Sequence, residues 1–279
     1  MDKITFIIVT WNSSGTIDGC LKRLEKLKVE VWVVDNNSSD DTVSKVKEYP
    51  QVKLIKNKSN LGFATANNVV LKKVISEFVF LLNPDAQLVG AALAEMIKFM
   101  EKNKDVGILG PKLLNPDGSL QREMTPFPGL LDQILILLRL HRLPWFRNLV
   151  YPNYDYNKTQ EAPHLMGSAL LVRKEVFEKV GAFDENFFLW FEETDLEKRA
   201  KEAGFKIIYY PKAQVKHLRS TSIKKINPLK RQAIWNKSLR YYFKKHKSRL
   251  EQLILEPFIY ISFLPALLLV VKEKIRLRT

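Results

Sequence analysis

VVDNNSSD at 33–40 and FLLNPD at 80–85 decide how this chain folds. In each, a short apolar run stops abruptly on polar and acidic side chains. Runs of that length read as strands buried on both faces of a sheet. The stop places Asp35 and Asp85 just beyond the carboxyl ends of two strands. Open α/β sheets hold their ligand-contacting groups there. Pro84 breaks the second strand and throws Asp85 to its tip.

Working outward, residues 4–10, 31–35, 52–56 and 78–82 are apolar runs separated by helical patterns. This predicts right-handed βαβ units and an α/β fold with a mostly parallel central sheet flanked by helices. Residues 106–110 offer a further strand, and NPDG at 115–118 a turn. Residues 125–160, rich in proline and aromatics, read as an irregular excursion over the surface. Regular structure resumes with GSALLVR at 167–173, a helix over about 174–180 and the loop GAFDENFFLW. A helix opening near Glu192 and the strands KIIYYP and AQVKH follow.

At 279 residues and 46% hydrophobic, the chain can bury one large domain, or one domain plus an appendage. The single cysteine, Cys20, excludes an internal disulfide and a cysteine-rich zinc site. Ile17, Leu21, Leu24 and Leu27 recur around it at helical spacing, so a packed thiol is expected. The opening MDK leads straight into ITFIIV, too short for a secretory h-region, and a cytoplasmic start is expected.

The net charge of +15 is uneven: residues 219–279 hold 15 Lys and Arg against Glu251, Glu256 and Glu273. Such a tail seeks an anionic surface, lipid or nucleic acid. The apolar stretch at 253–271 favours lipid. Glu256, Pro257 and Pro265 interrupt it, and the remaining 14 residues at 258–271 fit an interfacial helix better than a span. A single span and a packed helix are the alternatives. LLDQILILLRL at 130–140 either joins the same apolar face or packs on the core. The expected division is a catalytic domain at 1–222 and a basic, apolar helical tail at 223–279.

The motifs each have a chemical and a structural reading. TWNSSGT at 10–16 is neither a dinucleotide fingerprint nor a P-loop, and it contacts a base or caps a helix through Ser13 or Ser14. Asp35 can accept from a ribose hydroxyl or a pyrimidine N–H; DNNSSDD is also an ordinary turn with a cap near Ser39 or Asp40. In NLGFATANN, Gly62 permits close backbone approach, while Asn60 offers an amide or caps a helix. Asp85 could bind Mg²⁺ or Mn²⁺ that grips phosphates, with Asn83 adding a neutral oxygen. Glu192, Glu193 and Asp195 open a helix, where the dipole favours acids and a general base could reach a hydroxyl. Trp190 could stack on a sugar face. His217 is a metal or phosphate contact, or simply hydrogen-bonded. His141, His164 and His246 show no partner pattern.

Taken in order, ITFIIVTWNS, VVDNNSSDDT, NLGFATANN, FLLNPDA, GSALLVRKEVFEKVGAFDENFF and FEETDLEKRAKEAGF form a set. With it, residues 3–219 resemble the inverting family 2 glycosyltransferases of GT-A fold, in the rhamnosyltransferase-like branch. The resemblance implies transfer of a sugar from a UDP- or dTDP-linked donor with a divalent cation. By position it assigns the nucleoside to Thr10, Asn12 and Asp35, with Asn60 and Gly62 nearby. Asn83 opens the metal motif, Asp85 holds metal and diphosphate, and His217 approaches them. Gly167 and Ser168 line the donor-sugar or acceptor pocket, and Glu193 is the base. Two departures matter: Asn83 leaves one assured carboxylate, and Glu193 stands where the family usually has Asp, so Glu192 and Asp195 stay open as base. The expected acceptor is a glycan or lipid-linked oligosaccharide, with no nucleic acid expected, and the basic tail with its apolar segment at 253–271 would hold the enzyme at the cytoplasmic membrane face. The rivals are a nucleotidyltransferase and a non-catalytic nucleic-acid-binding protein.

Overall fold

The structure, a computed structural model, describes residues 3–218 and 223–276. Arg219 and residue 222, the expected end of the catalytic domain, lie outside the described residues. The first half alternates strands and helices as expected: β1 (Ile4–Thr10), α1 (Ile17–Glu25), β2 (Glu30–Asp35), α2 (Thr42–Lys47), β3 (Lys53–Lys56), α3 (Gly62–Leu71) and β4 (Phe78–Leu82). These four strands lie side by side in the order β3-β2-β1-β4, all parallel. The register sets Thr10 beside Asp35, so the ends of β1 and β2 are level. Ser13 and Ser14 do not cap α1, whose N-cap is Thr16 without a side-chain bond.

Beyond β4 the sheet becomes mixed. The next elements are β5 (Ala86–Val89), α4 (Ala92–Lys102), β6 (Val106–Leu114), α5 (Leu130–Leu137), α6 (Pro144–Val150), β7 (Gln160–Glu161), β8 (Ala169–Arg173), α7 (Lys174–Val180), α8 (Glu192–Glu202) and β9 (Lys206–His217). The three residues between β4 and β5 cannot make the crossover that a parallel neighbour needs. β5 instead lies at the far edge, antiparallel to β9. β8 runs antiparallel between β4 and β6, and β6 pairs parallel with β9. KIIYYP and AQVKH are one strand, whose pairing with β6 slips between Pro111 and Lys112.

Strand alternation divides the core. Phe78, Phe80 and Leu82 face one side of β4 with Phe6 and Ile8, and Phe6 stacks on Phe80 at 4.8 Å. Val79 and Leu81 face the other side with Val34, Leu170 and Leu196. Cys20 is packed in the first cluster.

The tail forms α9 (Pro228–His246), α10 (Arg249–Ile261) and α11 (Phe263–Arg276). Asn227 caps α9 ahead of Pro228, and Ser248 with Glu251 forms a capping box on α10. It is no loose appendage. Leu239, Tyr242 and Phe243 of α9, with Leu255 and Ile259 of α10, share a third core with Leu137, Phe187 and Phe191. That core also explains why 125–160 is not wholly irregular: α5 finds its apolar partner in α10, more than 110 residues further along the chain. Residues Arg249–Leu268 are long and apolar enough to cross a membrane by length and composition. Leu250, Leu253, Tyr260, Leu264 and Leu268 are exposed.

Candidate active site

Two hollows meet at Asn83, just past the end of β4. The first is lined by Thr10, Trp11, Asn36, Asn60, Gly62 and Asp85. The second, of about 410 Å³, is lined by Gly167, Ser168, Glu192, Glu193, His164 and His217. Phe63, Asn83, Leu189 and Ile223 border both. The three acidic motifs therefore converge on one cleft, although not every expected residue faces it.

The floor of the first hollow is tied by short hydrogen bonds. The Thr10 hydroxyl donates to Asp35 Oδ1 at 2.9 Å, the Ser38 hydroxyl to the same oxygen at 2.5 Å, and the Ser38 amide to Oδ2 at 2.9 Å. Asp35, only 2% exposed, thus lies behind the hollow rather than on it. Asn12 departs from expectation as well. Its φ of 50° turns the chain, and its Oδ1 accepts from the Ser39 amide at 2.8 Å, binding the first loop to the second. Asn36, which the sequence reading passed over, lines the hollow and donates to Gly62 O at 2.9 Å. The signal was available: it is the first residue beyond the strand end. Asn60 accepts from the Gly62 amide at 3.0 Å, one residue ahead of Leu61, the N-cap of α3. Gly62 has φ 83°, and a Cβ there would come within 2.2 Å of Phe188 O. Glycine is required because the aromatic loop docks on this turn, with the Phe63 amide donating to Phe188 O at 2.8 Å.

Asp85 and His217 face each other at 3.2 Å, Oδ1 to Nε2, both 6% exposed in their side chains. They come together because β5 and β9 pair Ala86 with His217. Gln121 fixes the imidazole. Its Nε2 donates to Asn115 Oδ1 at 2.9 Å and to His217 O at 2.5 Å, so its Oε1 must accept from His217 Nδ1 at 3.0 Å. That leaves Nε2 aimed at Asp85 without a hydrogen-bond partner. An imidazole nitrogen and a carboxylate oxygen converging in a buried position, with the far nitrogen held by an amide, fit a divalent cation. Among the described residues no set of three or more His, Cys, Asp or Glu encloses a metal, so Asp85 and His217 alone would not complete a cation's coordination.

Glu192 and Glu193 enter the second hollow from the first turn of α8. Trp190 and Phe191 precede them with φ of 66° and 69°, a left-handed corner that turns the loop into the helix. Phe191 is anchored against Trp235 and Tyr242, ring centroids 4.9 and 5.6 Å away. Burial pushes the Glu193 carboxyl up, and the backbone N–H groups of Glu193, Gly167 and Thr194 only partly oppose it. Burial, then the Glu193 charge, pushes Glu192 well up. Each retains a buried Oε2 without a partner. A Cβ at Gly167 would come within 3.2 Å of the Glu193 side chain, so that glycine makes room for the carboxylate.

Asp195 does not belong to this set. It is fully buried and accepts from Arg199 at 2.8 Å, Lys245 at 2.8 Å and His246 at 2.7 Å. Burial alone would raise its pKa, but the hydrogen bonds from His246 and Lys245 and the charge of Arg199 hold it below the usual carboxylate range. Two residues beyond the base candidate, the helix has turned to the tail, and Asp195 fastens α9 there. His164, passed over in the sequence, spans Thr125 at 2.9 Å and Thr194 at 3.0 Å beside the cavity. Burial lowers its pKa to about 4, so it stands neutral. The tail itself supplies part of the wall: Ile223 and Ile226 line the first hollow, and Lys225 donates to Asn12 O. The expected division near 222 thus cuts through the site.

The sequence profile described as glycosyl transferase family 2 matches residues 5–181, more than half of the chain. The chain belongs to glycosyl transferase family 2. A profile described as the N-terminal domain of galactosyltransferase matches residues 147–224. As a member of this family the protein is a glycosyltransferase. It is 28% identical over 243 residues to N-acetylglucosaminyl-diphospho-decaprenol L-rhamnosyltransferase of Mycobacterium tuberculosis, covering 79% of this chain and 78% of that one. Among solved structures, a mannosyltransferase from Pyrobaculum calidifontis, in complex with GDP-Man and Mn²⁺, aligns with TM-score 0.59 at 17% identity. The alignment covers 99% of this chain and 81% of that one. GalNAc-T7 with UDP, GalNAc and Mn²⁺ aligns with TM-score 0.56 at 16% identity, covering 77% of this chain and 43% of that one. These likenesses establish the GT-A fold of the family 2 chain.

Proposed function

We propose that this family 2 glycosyltransferase moves a sugar, rhamnose being the leading candidate, from a nucleoside diphosphate donor to a hydroxyl of a lipid-linked or glycan acceptor, with inversion. The observation that carries the reading is the meeting of two hollows at Asn83, one ending at Asp85 and the other at Glu193. The nucleoside would lie against Thr10, Trp11 and Asn36, with Asp35 behind them. The diphosphate would approach Asp85 and His217, and the sugar would pass Asn83 toward Ser168. A Mg²⁺ or Mn²⁺ ion would be held by Asp85 and His217 with the phosphates, and would offset charge on the leaving group.

Glu193 takes the proton from the acceptor hydroxyl. Its unpartnered Oε2 can receive that proton, and its raised pKa brings its basicity closer to neutral pH. Burial and the neighbouring Glu193 charge disfavour the charged form of Glu192 more strongly, which favours Glu193 as the base of the two. The similarity to a relative named for a diphospho-decaprenol acceptor supports a lipid-linked acceptor here. The exposed leucines of α10 and α11, together with the basic tail, support placement on the cytoplasmic membrane face.

The test is a panel of UDP- and dTDP-sugars, scored for nucleoside diphosphate release with Mn²⁺ or Mg²⁺ and again with chelator. One or more donors should turn over with the cation only, and Asp85→Ala should abolish cation-dependent nucleotide binding in calorimetry. Release of pyrophosphate instead would favour nucleotidyl transfer.

A further inference from the structure

A third, smaller hollow of about 140 Å³ adjoins the catalytic cleft and contains Arg139, Arg231, Gln232, Trp190 and Trp235. Trp190 and Trp235 also line the cavity of Glu193, so the two spaces share a wall. Arg139 follows the end of α5 in a left-handed conformation, φ 62°, and Arg231 projects from the first turn of α9. Among the described residues, neither guanidinium forms an ion pair or hydrogen bond. Arg139 is half-buried, and its pKa is lowered by that burial and by the charges of Arg142 and Arg231. Clustered guanidiniums without a carboxylate repel one another, and a bound anion would relieve that repulsion. On the outer side Ala266 of α11 completes the wall, and Leu264, Leu267 and Leu268 around it are 61%, 48% and 70% exposed.

We propose that the Arg139–Arg231 hollow binds the phosphate or diphosphate of a lipid-linked acceptor. The inference rests on the transferase reading above and adds the acceptor's linking group. From the exposed leucines of α11 the lining passes to the guanidiniums of Arg139 and Arg231, then to Trp190 and Trp235, packed edge to face at 5.4 Å, which border the cavity of Glu193. A prenyl-phospho-sugar has the same sequence of parts: hydrocarbon, phosphate, sugar. Arginine suits the middle position because its planar fork binds phosphate oxygens in pairs.

Farnesyl diphosphate, titrated with chelator present so that no cation can recruit it to Asp85, is a direct probe. Trp190 and Trp235 report its binding through intrinsic fluorescence. The full-length wild type should show saturable quenching. Arg139→Gln/Arg231→Gln should weaken binding by about tenfold or more, as loss of charge-assisted contacts requires. Arg139→Lys/Arg231→Lys should recover most of it, and Asp85→Ala should bind like the wild type. Cosedimentation with phosphatidylglycerol vesicles separates the two sources of phosphate. The Gln/Gln variant should sediment as the wild type does, because the remaining tail lysines serve the bulk surface. Undiminished farnesyl diphosphate binding in a folded Gln/Gln variant overturns the proposal, and so does an absence of saturable binding in the wild type. Loss of vesicle binding with farnesyl diphosphate binding intact would assign the hollow to headgroups instead, and also overturns it. None of these readouts needs turnover, so they stand or fall apart from nucleoside diphosphate release.

Discussion

The hollow that ends at Asp85 and the hollow that ends at Glu193 are built in different ways. The first is the work of consecutive βα units. Its groups sit at the ends of β1, β2 and β4, and loop hydrogen bonds such as Asn12 to Ser39 hold them in place. The second is assembled from pieces far apart in the chain: the loop before α8, the segment around His164, helix α5 and the tail helix α9. A parallel sheet specifies its switch-point groups locally. A cavity roofed by distant helices depends on their packing. The first hollow should therefore be sensitive to backbone conformation and the second to buried partners.

The largest effect is expected where the second hollow is fastened. Asp195→Ala leaves Lys245, His246 and Arg199 facing a buried position without their carboxylate, and should cost about 3–5 kcal/mol. Thermal unfolding would read this as a large fall in Tm. A change of a degree or two would mean that the tail is only loosely joined to α8. Next comes Glu193→Gln, which should lower kcat by about 10²-fold or more while leaving nucleotide affinity in place. Full turnover would remove Glu193 as base and direct attention to Glu192.

Gly62→Ala tests the first hollow's backbone. With φ at 83° and Phe188 O in the way, it should destabilise by roughly 1–3 kcal/mol and weaken donor binding. An unchanged nucleotide affinity would separate the turn from the site. The finest comparison is pH. Burial raises the Glu193 pKa, and the base must be deprotonated, so kcat/KM should fall as pH drops through that raised value. The acid limb should thus lie above the ordinary glutamate value of about 4.3. A limb at the ordinary value would place the base in a more solvated position than the second hollow provides.

The same contrast explains what the sequence made legible. Strand ends at Thr10, Asp35 and Asp85 could be read from abrupt apolar-to-polar changes, because each is a local event. Which neighbour faces the ligand was less legible: Asn36 rather than Asp35 lines the hollow, since hydrogen bonds from Thr10 and Ser38 draw the Asp35 carboxylate inward. The meeting of Asp85 with His217 depends on pairing between β5 and β9, which no local pattern carries. Asp195, Glu192 and Glu193 look equivalent along the sequence. Helical geometry separates them, turning Asp195 toward α9 while its two neighbours enter the cavity. The mixed second half of the sheet was hidden for the same reason, and so was the partner of the apolar stretch at 130–140, whose packed alternative is the one seen in α5.

The three side chains that hold Asp195 bear on any attempt to shorten this protein. A chain cut ahead of α9 would forfeit its greasy exterior and, at the same stroke, leave the interior carboxylate of Asp195 with Arg199 but without Lys245 and His246, two residues from the one proposed to do the chemistry. Inactivity after such a cut would speak first of a loosened catalytic helix, and only then of lost lipid contact.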